Sequence, residues 1–133
     1  MDTNTDKILN FKLRTISMKK DNIILEKTFD FALSIIELYK KMTEQKEYVL
    51  SKQILRSGTS IGANIEEAIA AHSRKDFAAK MILASKEARE TRYWLRLLQK
   101  SQLVKLEFTT QLNDIETIIN IITAIVKTTQ GKS

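Results

Sequence analysis

The chain has 133 residues, 43% of them apolar and 29% charged, which fits one globular domain and excludes disorder throughout. It contains no cysteine, no proline and three glycines, so disulfides, thiolate metal sites and thiol catalysis are excluded and long helices are favoured over tightly turned sheets. The formal net charge of +6 is concentrated in residues 74–100, where eight Lys and Arg face three acids, a balance that suits a polyanionic partner.

No apolar run exceeds four residues. A membrane span needs about 20 and a signal-peptide core about 7–15, so a soluble, cytoplasmic protein with no membrane partner is expected. Residues 1–20 mix charge with Asn, Thr and Ser without sustained periodicity. They are expected to form a loosely ordered N-terminal extension ahead of a four-helix bundle domain over residues 21–133.

The first helix is predicted over about Asn22 to Thr43. Phe29, Ala32, Ile36 and Tyr39 make one apolar stripe, and Phe31, Ile35, Leu38 and Met42 make a second. The second helix, over about Glu47 to Ala71, turns Leu50, Ile54, Gly58, Ile61, Ile65 and Ala68 inward. Ser73 and Asp76 then form a capping pair that opens the third helix. Phe77, Met81, Ala84, Ala88, Thr91, Leu95 and Leu98 give that helix an unbroken seam of alternating four- and three-residue steps. The fourth helix, over about Glu107 to Thr128, carries Phe108, Leu112, Ile115, Ile119, Ile122 and Val126 on one stripe and Ile118, Ile121 and Ile125 on another.

These elements predict an all-α fold, an antiparallel up-down four-helix bundle. A turn centred on residue 73 pairs Ile65 with Met81, Ile61 with Ala84, Gly58 with Ala88 and Ile54 with Thr91, and it sets Arg56 level with Glu90 as an ion pair. A bundle core needs one stripe from each helix. The surplus set, Phe31, Ile35, Leu38 and Met42 with Ile118, Ile121 and Ile125, is therefore expected to be the interface of a cyclic homo-oligomer.

Catalytic and metal-binding patterns fail on their residues. His72 is the single histidine and stands at a helix end, and the Glu-x-x-His pair of a di-iron bundle is broken by Ile69. Three glycines cannot build a phosphate-binding Gly-rich loop, and Ser17-Met18-Lys19-Lys20 has no companion motif. No cofactor, no metal and no enzymatic activity are expected.

Gln53, Arg56, Ser60, Asn64 and Glu67 recur at helical spacing on the second helix as a structural polar stripe, with Glu90 opposite. The segment around them resembles the four-helix bundle proteins encoded in intervening sequences of bacterial 23S ribosomal RNA genes. That family's pattern, Arg-Ser followed by Ser-Ile, Asn-Ile and Glu, falls here on Arg56, Ser57, Ser60, Ile61, Asn64, Ile65 and Glu67. The likeness continues through Phe31-Ala32, Glu47-Tyr48, Lys75-Asp76-Phe77, Lys86-Glu87-Ala88 and Glu90 to Leu95, covering roughly residues 22–128. It implies an up-down bundle assembled into a ring, a homopentamer in known relatives. The chain is also similar to the accessory protein of diversity-generating retroelements, a basic pentamer that binds nucleic acid and a reverse transcriptase.

The residues themselves offer one candidate nucleic-acid-binding surface. Lys86, Arg89, Tyr93, Arg96 and Lys100 share one face of the third helix, where cations can meet successive phosphates and Tyr93 can stack on an unpaired base. The plain reading of the same row is a solvated outer face with Glu87 and Glu90 nearby. RNA or DNA is thus one expected partner, alongside further copies of the chain. The alternative function is a scaffold that recruits a protein partner without touching nucleic acid.

Overall fold

The structure, a computed structural model, describes the backbone of residues 3–131 and the side chains of residues 22–131. Four helices follow in order: α1 (Thr3–Glu44), α2 (Leu50–Ile69), α3 (Arg74–Ser101) and α4 (Thr109–Gln130). Each packs on its two neighbours, α1 on α2, α2 on α3, α3 on α4 and α4 on α1, with no diagonal packing among the described residues. This is the expected up-down bundle. α1 begins ahead of the predicted Asn22, and no glycine or proline between Thr3 and Asn22 interrupts it. The expectation of a loosely ordered extension falls on residues whose side chains lie outside those described.

The connections show why the helices stop and start where they do. Lys46 takes a left-handed conformation (φ 66°) that turns the chain after α1. The Glu47 carboxylate then accepts hydrogen bonds from the backbone N–H groups of Val49, Leu50 and Ser51 at 3.0, 3.0 and 2.7 Å, so α2 starts at Leu50 and not at Glu47. Ser73 caps α3 as its spacing predicts, accepting from the Asp76 N–H at 3.0 Å. Between α3 and α4, Glu107 accepts hydrogen bonds from the Thr109 hydroxyl and, at 2.7 Å, from Gln99 Nε2. These bonds, Thr109's foremost, hold the Glu107 carboxyl below the ordinary glutamate range. At the same end of the bundle, the Gln45 side-chain amide donates to the Lys105 carbonyl at 3.1 Å and accepts from its N–H at 2.7 Å, clasping the first connection to the third.

The core corrects the expected oligomer interface. Phe31, Ile35, Leu38 and Met42 of α1 and Ile118 and Ile125 of α4 are buried inside the single chain, and Ile121 is half-buried against the same core. Phe29, from the other stripe, is 63% exposed. Two stripes of equal spacing compete on α1, and the winner is the longer one. It extends upward through Thr28 to Ile24, both buried, as an unbroken seam. Thr28 hides that continuity in the sequence because it is polar, yet its hydroxyl donates to the Ile24 carbonyl at 2.7 Å and is satisfied within its own helix. On α4, Ile115, Ile118, Ile119, Ile122 and Ile125 are all buried because the helix is covered by both α1 and α3, which takes a face wider than one stripe.

Two further contacts fix how α2 sits against its neighbours. Gly58 lies against α1: a Cβ there would lie 2.9 Å from Ile35 Cγ1 and Cγ2. Thr91 meets Ser57 across the hairpin, their buried hydroxyl oxygens 2.8 Å apart. Thr91 Oγ1 is also 2.8 Å from the Glu87 carbonyl, so Thr91 donates to that carbonyl and Ser57 donates to Thr91, which uses each proton once.

Candidate nucleic-acid interface

α3 buries Met81, Ala84, Ala88, Thr91, Leu95 and Leu98, and this seam fixes what the rest of the helix can present. Lys86, Arg89, Tyr93, Arg96 and Lys100 fall on the far side from the seam and are all exposed. Their row runs about 21 Å at the α-helical rise.

Two flanks bound the row. Toward α4, Arg92 Nη1 donates to Glu116 Oε1 at 2.9 Å. Toward α2, Arg56 donates to Glu87 Oε2 at 3.3 Å and forms the predicted ion pair with Glu90. Trp94 Nε1 donates to the same Glu90 oxygen at 3.0 Å, and the Trp94 and Tyr93 rings meet edge to face with centroids 5.2 Å apart. The two acids of α3 nearest the row are therefore engaged by a cation from α2. Among the described residues, Lys86, Arg89, Arg96 and Lys100 make no ion pair. Four uncompensated cations with an aromatic ring at their centre can hold a polyphosphate chain.

The polar stripe of α2 divides by partner. The Ser60 hydroxyl donates to the Arg56 carbonyl at 2.6 Å and Asn64 Nδ2 donates to the Ser60 carbonyl at 2.9 Å, so both serve their own helix. Glu67 accepts from Lys80 of α3 at 3.1 Å, which with Arg56–Glu90 makes the stripe the outer seam of the hairpin. Gln53 is exposed. Sequence reasoning missed Trp94 as the donor to Glu90, although its position four residues on places it over the same helix face.

The remaining features offer less chemistry. His72 is exposed in the connection between α2 and α3. A groove between α1 and α4 is lined by Lys27, Asp30, Phe31, Asp114, Thr117 and Ile118. Among the described residues no helix is long and apolar enough to cross a membrane.

The likeness to known proteins spans most of the bundle. The family model described as 23S rRNA-intervening sequence protein matches residues 20–124, which include the entire α3 row. Among solved structures, the chain is similar to the crystal structure of a protein of unknown function from the S23 ribosomal protein family of Bacteroides thetaiotaomicron. The two are 49% identical over 81% of this chain and 98% of that chain, with a TM-score of 0.77. No curated protein matches the chain.

Proposed function

We propose that this chain, which belongs to the family of 23S rRNA-intervening sequence proteins, is a non-catalytic, oligomeric, cytoplasmic protein that binds nucleic acid along the outer face of α3. The observation that carries the reading is the charge arrangement of that face. Arg56 engages Glu87 and Glu90, while Lys86, Arg89, Arg96 and Lys100 have no carboxylate partner among the described residues. Cations in one row displace condensed counterions from phosphates, and binding of this kind weakens steeply with salt. Self-association would set several such rows on one particle, and linked rows bind with an avidity that one row lacks.

The family resemblance implies a ring of five copies. Its apolar contact cannot be the stripe buried within the subunit, but Phe29 and Leu33 on the outer face of α1 are 63% and 50% exposed and are suited to it. The same two side chains favour the second reading, a scaffold whose apolar face takes a protein partner.

Purification from cells at low ionic strength tests the function. Nuclease-sensitive material should accompany the protein and leave it as salt is raised. Protein that arrives free of nucleic acid and binds neither duplex nor single-stranded oligonucleotides would contradict the proposal.

A further inference from the structure

Resting on nucleic-acid binding at α3, we infer that the strand held there is unpaired, and that Tyr93 is the platform on which one of its bases stacks. Tyr93 stands at the centre of the row, between Lys86 and Arg89 on one side and Arg96 and Lys100 on the other. It is 55% exposed, so its ring is open to a ligand. Its ring is braced from one side. Trp94 meets it edge to face at an interplanar angle of 64°, the Trp94 indole N–H is held by Glu90, and Glu90 is held by Arg56 from the neighbouring helix. Among the described residues no other ring covers Tyr93. Leu97, four residues on and 37% exposed, extends the apolar surface along the row.

A braced, open ring between cations is matched to one class of ligand. In a duplex the base faces are stacked on one another, so a straight helix face meets phosphates and Tyr93 gains nothing. In an unpaired strand the base faces are available, and the flanking cations hold the phosphates on either side of the stacked base. Every base has such a face, so the preference is for unpaired structure and not for a particular sequence.

The test compares fluorescence-anisotropy titrations of a short oligo(dT), a short oligo(U) and a duplex of mixed sequence, using the full chain and its Tyr93→Ala, Tyr93→Phe and Arg89→Ala/Arg96→Ala variants. Tyr93→Ala should weaken the single strands by about five- to a hundredfold, the range for removing one base stack, and leave the duplex unchanged. Tyr93→Phe should keep the single-strand affinity. Trp94, the one tryptophan of the chain, should change its emission when oligo(dT) or oligo(U) binds and not when the duplex binds. Loss on oligo(dT) but not oligo(U) would assign the platform to DNA, and the reverse to RNA. If Arg89→Ala/Arg96→Ala weakens all three ligands while Tyr93→Ala weakens none, or weakens all equally, the stacking platform is refuted and cationic binding stands. If the parent binds none of the three, both fall.

Discussion

Arg56 of α2 and Glu90 of α3 are joined as an ion pair across the helical hairpin, each seventeen residues from Ser73 at its turn. The pairing fixes which residues of α3 face α2. It draws Glu90, and with it Glu87, toward α2 and away from the cationic row. The Arg56 and Glu90 side chains are 49% and 34% exposed, so water screens the pair. A double-mutant cycle over Arg56→Ala and Glu90→Ala should give a coupling of about 1 kcal/mol or less at low salt, shrinking as salt is added. A coupling that high salt leaves intact would contradict that screening.

The two α2 glycines make opposite predictions for the same substitution. At Gly58 a Cβ would press on Ile35 at 2.9 Å, and the branched Ile35 carbons are close to their own backbone and have little room to yield. Gly58→Ala gains about 1 kcal/mol of helix propensity but incurs about 1–3 kcal/mol of overpacking, so it should lower the thermal midpoint. At Gly62 the nearest atom, Thr28 Oγ1, is 3.4 Å away, an ordinary contact. Gly62→Ala should stabilise by about 0.5–1 kcal/mol. Thermal unfolding followed by circular dichroism checks the order of the two midpoints.

The buried hydroxyls of Ser57 and Thr91 behave as one unit. Thr91→Val removes the acceptor for Ser57 and leaves its hydroxyl buried without a cross-helix partner, which costs about 1–3 kcal/mol. Adding Ser57→Ala removes the orphaned group and should recover most of that loss, measured as the urea midpoint. A double variant that is less stable by the sum of two separate losses would show that the two side chains act independently.

Assembly is tested on the outer face of α1. Light scattering at micromolar concentration should give an oligomer for the parent and a monomer for Phe29→Glu/Leu33→Glu, with helicity retained because both side chains lie outside the core. Ile35→Glu, at a fully buried position, should instead unfold the subunit. A monomeric parent would refute self-association.

Some of this was legible in the sequence and some was not, for physical reasons that differ by element. The α3 seam was legible because every step from Met81 to Leu98 is buried where its spacing predicts, and the exposure of the cationic row follows from it. The Arg56–Glu90 pair was legible from the position of the Ser73 cap. The core face of α1 was not, because Thr28 breaks the apolar run while its hydroxyl is satisfied inside the helix. The clasp between Gln45 and Lys105 joins residues far apart in the chain through an exposed side chain, and no periodicity encodes it. The neutralisation of Glu87 and the anchoring of Trp94 depend on which way long side chains turn, and spacing leaves that open.

The salt dependence of binding tests most directly whether α3 is the nucleic-acid face. Affinity for a mixed-sequence duplex is measured across a salt series for the parent and for Arg89→Ala/Arg96→Ala/Lys100→Ala, all three exposed and outside the core. For each phosphate that is no longer neutralised, the slope of log K against log salt should flatten by about 0.9 on duplex DNA, while circular dichroism shows the bundle unchanged. A triple variant that binds as tightly as the parent at every salt concentration, with the same slope, would contradict nucleic-acid binding at this face.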